Sequence, residues 1–378
     1  MTPLTPMRFA VRVTWCVTAL GALLLISPGV GAESASVGWW DAWRAKLGLP
    51  ISAAELQSHR FVDRNGDGAV SDQEATEFAD IARHIGFRQR FARSLLALQV
   101  GMTLALCGAT FQILFRNPLA TPYTLGITSG GSLGALIAIR LGWGGPVLGL
   151  SALPLAAFIG GTAVIGVVLL LVRGSRRLTT NELLLSGVTL GLFCSAMMML
   201  VTAVSNERET FAMVRWMMGS LDPVTHTQQI TMLPLLLPCW IVLLLLARAL
   251  NQYRLGDELA AARGVNVVRL QTVCVLLCTL ATAAVVARCG PIGFVGLVVP
   301  HIVALLFGSD ARLLLPASGL IGAGFLIVCD WGSQTTMRVA GWATGRELGT
   351  AVLPIGVVTA LVGVPIFLTI LLKNRQNM

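Results

Sequence analysis

Charge is what this 378-residue chain has least of: Asp, Glu, Lys and Arg make up 12% of it, against 55% apolar residues. Soluble domains usually carry about 25% charged residues. The shortage excludes an ordinary soluble enzyme and points to a polytopic membrane protein, whose length is used up by spans. No G-x-x-x-x-G-K-[ST] occurs, so the chain has no P-loop cradle for ATP. Metal-type cysteine spacing is missing too. Cys274 and Cys278 lie one helical turn apart with no second pair to join them, and Cys16, Cys107, Cys194, Cys239 and Cys329 sit singly in apolar runs, as small packing residues do. The net charge of +9 is not gathered into a patch that would suit nucleic acid. Its basic residues lie at the ends of apolar runs, where they set topology.

What is present is a series of ten apolar runs, near 9–32, 95–115, 123–141, 146–172, 183–204, 230–248, 268–287, 292–307, 313–329 and 351–372. Each is long enough to cross a bilayer once tilt and helix breaks are allowed. Placing the N-terminus in the cytoplasm puts thirteen basic residues inside (Arg8, Arg12, Arg116, Arg173, Arg176, Arg177, Arg248, Arg254, Arg263, Arg269, Arg312, Lys373, Arg375) and six in the short outer loops (Arg140, Arg208, Arg215, Arg288, Arg338, Arg346). That balance favours both termini inside. The expected organisation is a first transmembrane segment over 1–32, an external soluble insert over 33–93 and a transmembrane domain over 94–378. The insert holds nine of the chain's eighteen acidic residues. An alternative reading of 1–32, with Arg8, Arg12, an apolar stretch and "GVGA", is a cleaved signal peptide.

Three stretches carry pattern. "FRNPLATPYTLGITSGGSLGA" breaks the helix at Asn117-Pro118 and Thr121-Pro122, then opens the next span with Gly126, Gly130, Gly131 and Gly134, a small-residue face for close helix approach. "YRLGDELAAARGVNVVRL" reads as a short helix over 257–263 ended by Gly264, followed by a second short helical piece. It suits either a solvated connector or a docking surface. "GPIGFVGLVVPHIVALLFGSDARLLLP" holds Pro291, Gly293, Gly296 and Pro300, a broken membrane segment that must be covered by protein or a water cavity. His301 reads as a proton carrier or ligand, or as a helix-end histidine bonded to backbone. Asp330, closing "GFLIVCD", reads as an interfacial cap near a span end.

With "LPIGVVTALVGVPIFL" at 353–368, these stretches resemble the FecCD family of bacterial ABC-importer permeases in motif order and spacing, over about residues 92–372. The resemblance implies an all-α protein of about ten transmembrane helices in the bacterial inner membrane, paired as a homodimer or heterodimer. An even span count favours retaining the first segment. It also implies that Leu255, Gly256, Asp257, Glu258, Ala261, Gly264 and Val265 dock on cytoplasmic ABC ATPase subunits. A periplasmic substrate-binding protein would deliver a ferric siderophore, haem or cobalamin along a path shaped by Asn117, Pro118, Gly130, Gly131, Gly293, Gly296, Pro300 and His301. Two positions depart from the family pattern: Ala304 and Gln334 stand where the family usually has arginine.

The insert carries "DRNGDGAVSDQE", a match to the twelve-residue EF-hand loop. Asp63, Asn65 and Asp67 alternate as oxygen ligands and Gly68 permits the turn. Ala69 offers its carbonyl, Ser71 can hold a water and Glu74 is placed for bidentate contact. Helices are expected on both sides, the second with Phe78, Ile81 and Ile85 on one face. Calcium, or another hard cation, is the expected ligand. The rival functions are an ion-coupled secondary transporter, which needs charge at mid-membrane, and a calcium-sensing membrane protein.

Overall fold

The computed structural model describes residues 6–31, 37–49, 51, 71–143, 146–147, 150–172, 180–221, 232–344 and 352–375. All ten apolar runs contain helix. In chain order the helices are α1 (Pro6–Ile26), α2 (Trp39–Leu47), α3 (Asp72–Arg83), a π-helical turn (His84–Phe91), α4 (Ala92–Leu114), α5 (Ile127–Arg140), α6 (Ala152–Val172), α7 (Thr180–Ala203), α8 (Glu207–Met217), α9 (Leu233–Leu245), α10 (Ala247–Arg254), α11 (Asp257–Ala262), α12 (Val267–Cys289), α13 (Val295–Phe307), α14 (Ala311–Thr344) and α15 (Ile355–Arg375). A two-stranded antiparallel hairpin, Pro146–Val147 with Leu150–Ser151, precedes α6.

Among the described residues, six helices are long and apolar enough to cross a membrane, and a seventh span arises if α9 and α10, bent by 49°, count as one. The helices α5, α13 and α15 come from apolar runs too, but α13 has only thirteen residues. Its run is shortened at the front by the turn at Gly290–Phe294.

Helix α4 forms the centre. It is apolar around its whole circumference, as a helix must be when neighbours cover every side, and Leu96, Val100, Leu104, Phe111 and Leu114 are fully enclosed. It packs against α14 most extensively, then α13 and α12. One buried polar contact crosses between helices, with Trp240 Nε1 donating to Thr103 Oγ1 at 3.0 Å. Helix α1 packs mainly along α14, and Arg12 Nη1 ties it to the end of α13 by donating to the Phe307 carbonyl at 3.0 Å.

The 33–93 stretch is joined to the bundle more tightly than a separate insert would be. Helix runs unbroken from Gln73 to Leu114, through the π-helical turn. A small second core forms from Val37, Ala42, Ala45, Ile51, Ala75, Phe78, Ala82 and Phe87. Phe78 is buried as its spacing predicts and Ile85 packs beside that core, but Ile81, expected on the same face, is exposed. The π turn advances the helix by more than 3.6 residues per turn, which rotates the later side chains. It brings Phe87 onto Trp43 and buries Arg90, whose Nη1 donates to the carbonyls of Pro28 and Val37.

Candidate translocation and coupling sites

Among the described residues, two non-glycine residues have positive φ, Arg116 at 48° and Phe294 at 67°. Such angles are uncommon outside glycine, and for a bulky residue they are held only by the surrounding structure. Both fall in the motif turns, one after α4 and one opening α13.

Around Phe294 the turn Gly290–Phe294 meets α8 and α15. Asn206 caps α8 by accepting the Glu209 N–H at 2.9 Å, and Arg140 reaches Glu209 at 3.7 Å, tying α8 to the end of α5. The far end of α8 bonds to the last helix, with Gly356 N–H donating to Met218 O at 3.2 Å. Between these elements lies an open cavity of about 620 Å³, lined by Met217, Met218, Pro291, Gly293, Gly356, Val357, Ala360, Leu361, Val364 and Pro365. Its walls are almost wholly apolar. Gly293 faces this space with nothing within 4 Å of where a Cβ would stand.

The other predicted path residues fall elsewhere. Gly296 lies at the crossing of α13 and α4, where a Cβ would sit 2.7 Å from the Leu104 carbonyl and Gly108 is its partner. Gly130 makes the corresponding crossing of α5 with Gly160 of α6, and Gly131 faces Val286 more loosely. Pro300 is buried inside α13. Asn117, Pro118 and His301 line a second cavity of about 340 Å³ with Gln112, Arg116, Arg254, Ala304 and Ser309. His301 sits within α13 rather than at a helix end, because the helix continues to Phe307, and the expected backbone bond is not made among the described residues. Ala304, at one departure from the family pattern, leaves part of this second cavity open.

Beside that second cavity the segment around α11, expected to dock the ATPase, is braced. Arg116 stands over the Tyr253 ring at 4.6 Å, donates to the Tyr253 carbonyl at 2.7 Å and pairs with Asp257. Gln271 donates to Tyr253 Oη at 3.0 Å. Arg254 Nη1 bonds to the Ser309 carbonyl. Asp310, in the loop before α14, accepts from Asn251 and Arg312; the Arg312 guanidinium is the main cause that holds its carboxyl down at about 2. Helix α11 is thus fixed at one edge, with Ala260 buried, and turns Glu258, Leu259 and Ala261 outward. Gly256 (φ 129°) and Gly264 (φ 83°) bound it. The second short helical piece expected after Gly264 is instead the first turn of α12, capped by Asn266 accepting the Arg269 N–H at 2.9 Å. Leu255 and Val265 flank the helix. Arg116 and Leu259 were missed by the motif reading. Arg116 was legible only as a topology charge, and no pattern signals a contact across 141 positions.

Asp330 is not an interfacial cap. It is fully buried inside α14, which runs on to Thr344. Arg93 Nε donates to its Oδ1 at 2.7 Å, Gln334 Nε2 to its Oδ2 at 2.7 Å, and the Ser333 hydroxyl lies at 3.5 Å. The cation comes from the start of α4, while the neighbouring turn of α14 supplies a neutral donor, Gln334. No sequence pattern announced Arg93.

For the EF-hand reading, Asp63, Asn65, Asp67 and Ala69 lie outside the described residues. Ser71 and Glu74 form a capping box on α3: Ser71 Oγ accepts the Glu74 N–H at 3.3 Å, and Glu74 Oε2 accepts from Ser71 N–H and Oγ–H at 2.9 Å each. Among the described residues no three His, Cys, Asp or Glu side chains converge on a point.

Comparison with known proteins places this geometry. The model of the FecCD transport family matches residues 65–373. An uncharacterized ABC transporter permease protein, YvrB of Bacillus subtilis, is 38% identical over 334 residues, covering 88% of each chain. The hemin transport system permease protein HmuU of Yersinia pestis is 37% identical, covering 80% of this chain and 87% of its own. The vitamin B12 import system permease protein BtuC of Klebsiella pneumoniae is 40% identical, covering 76% and 82%. A solved inward-facing conformation of a metal-chelate type ABC transporter superposes with a TM-score of 0.75 at 28% identity, covering 96% of this chain and 98% of that one. The chain belongs to the FecCD transport family.

Proposed function

We propose that this chain is the membrane-spanning permease subunit of an ATP-driven importer for a metal chelate: ferric siderophore, haem or cobalamin. The observation that carries the reading is the braced, outward-facing helix α11, set between two positive-φ glycines on a chain with no ATP cradle of its own. Cytoplasmic ABC ATPase subunits dock there. A periplasmic binding protein delivers substrate at the opposite end, and a second permease copy, identical or related, completes the pathway. The apolar cavity beside Gly293 belongs to that pathway, and its lining of Met, Val, Leu and Pro gives a bulky chelate a smooth wall without strong polar binding. Exposed apolar residues on α7, α8 and α15, among them Leu192, Met199, Phe211 and Leu361, supply the faces for the second copy and for lipid. Both termini lie in the cytoplasm of a bacterium, with the chain in the inner membrane. Ion coupling is disfavoured because the buried carboxylate Asp330 is already paired with Arg93. Purified chain, reconstituted with its ATPase and binding protein in vesicles, should take up one of these chelates only when ATP is supplied. Uptake driven by an ion gradient without ATP overturns the reading.

Coupling gives a sharper prediction. Nothing stands within 4 Å of a Cβ at Gly256 or Gly264, but positive φ strains any other residue there. Gly256→Leu and Gly264→Leu should therefore keep the membrane-embedded packing while the strain redirects the ends of α11, so that substrate-stimulated ATP hydrolysis falls to the unstimulated rate. Normal stimulation in both variants would detach α11 from the ATPase.

The loop at 63–74 is proposed to bind calcium on the outer side. Its support is the ligand spacing, with three carboxylates, and the position of Glu74 in the first turn of α3. An unpaired EF-hand of this kind has Kd of roughly 10⁻⁴ to 10⁻³ M. Because α3 continues into α4, the full chain is the proper sample. Calorimetry should show calcium heat that disappears in Asp63→Ala/Asp67→Ala, a control that spares the cap. Equal heats in both proteins reduce the loop to a turn.

A further inference from the structure

Helix α2 is built inside out. Its buried face is made of the two alanines, Ala42 and Ala45, at 0% and 1% exposure. Trp43 is half-buried against Phe87, but the other large side chains point the other way: Trp39, Trp40 and Leu47 are 45%, 54% and 64% exposed, and Leu49 just beyond is 45% exposed. A helix on a water-facing domain normally buries its wide apolar stripe and exposes its polar one. Here Trp40 and Leu47, seven residues apart, share the outward face, with Trp39 stacked on Trp40 at 5.8 Å.

The position of this face identifies its partner. The ring N–H groups of Trp39 and Trp43 both donate to the Leu25 carbonyl, at 2.7 and 3.0 Å. Leu25 belongs to the last turn of α1, where helix carbonyls lack intrahelical donors. Helix α2 therefore caps the end of a membrane span and sits at the level where its apolar run stops. The surface continues without a gap in chemistry onto α1, whose Trp15, Val17, Leu25 and Ile26 are exposed on the same peripheral helix. The end of α2 is fixed to the small core: Lys46 Nζ stands over the Phe87 ring at 5.5 Å, and Arg83 Nε donates to the Ala45 carbonyl at 2.9 Å. Tryptophan with one apolar body and one bonded N–H is the residue that collects at membrane–water interfaces.

We propose that α2 is an interfacial anchor, lying in the headgroup–acyl boundary of the leaflet in which α1 ends, with Trp39, Trp40, Leu47 and Leu49 in contact with lipid. The anchor holds the small core around Phe78 and Phe87 down against the bilayer. It does not depend on which substrate the chain carries or on which side its termini lie.

Spin labels on the full-length chain in phosphatidylethanolamine/phosphatidylglycerol vesicles test this. Seven native cysteines are buried and Cys16 is half-buried, so a Cys16→Ser background leaves engineered sites dominant. Labels at Trp40→Cys, Leu47→Cys and Leu49→Cys should collide with oxygen more than with a water-soluble nickel chelate. The ratio should approach that of Trp15→Cys in α1 and be opposite to that of Gln73→Cys on α3. Nickel preference at these three sites would mean that they face water. Shielding from both reagents would mean that protein covers them. Either result overturns the anchor.

Discussion

Gly296→Leu is expected to give little folded protein and no uptake, whereas Gly293→Leu should fold as the parent does and still carry nothing. The two glycines are three residues apart and meet opposite surroundings. At Gly296 the backbones of α13 and α4 touch: a Cβ would stand 2.7 Å from the Leu104 carbonyl, and Gly108 leaves no room on the other side. Inserting side-chain atoms into such a contact costs about 1–3 kcal/mol when neighbours can shift, and backbone cannot shift as a rotamer does. In a membrane, close approach of small residues is itself a main source of helix association, so the loss is twofold. At Gly293 a side chain meets open space and fills part of the apolar cavity shared with Met217, Pro291 and Val364. Thermal unfolding of the detergent-purified variants, read beside vesicle uptake, separates the cases. A normally transporting Gly293→Leu would remove that cavity from the pathway. A normally stable Gly296→Leu would mean that α13 and α4 do not cross as described.

Breaking the Arg93–Asp330 pair is expected to have the largest effect on stability. The side chains are 12% and 1% exposed, and the contact is 2.7 Å. Removing one partner strands the other charge away from water, which costs about 3–5 kcal/mol. Asp330→Asn and Arg93→Gln should each lower the unfolding midpoint strongly. The double variant should recover much of the loss, because the two introduced amides can bond to each other and no charge is left alone. A coupling of about 0.5–3 kcal/mol is typical of residues in direct contact. Strictly additive losses, measured by denaturant titration in detergent, would mean that the pair is not formed in the membrane. The consequence reaches past stability: Arg93 lies in the first turn of α4, which runs on from α3, so this pair locks the base of α3 onto α14.

Much of this protein follows from composition and local pattern alone. Scarce charge and ten apolar runs set a polytopic helical architecture, since lipid leaves the backbone no partner except its own helix. The Gly/Pro-broken stretches marked the turns at 116–126 and 290–294, and four motifs in order carried the family. The tertiary structure decided what each glycine does, because Gly293 and Gly296 are alike as letters and differ only in what lies opposite. It decided that Asp330 is a buried ion-pair partner, through a residue 237 positions away. Helix length misled there: the apolar run stops at Cys329, while α14 continues to Thr344. It also decided that Arg116 braces α11 and that Trp39 and Trp40 of α2 face outward. Periodicity shows which residues share a face. What that face meets is settled by packing between segments far apart in the chain.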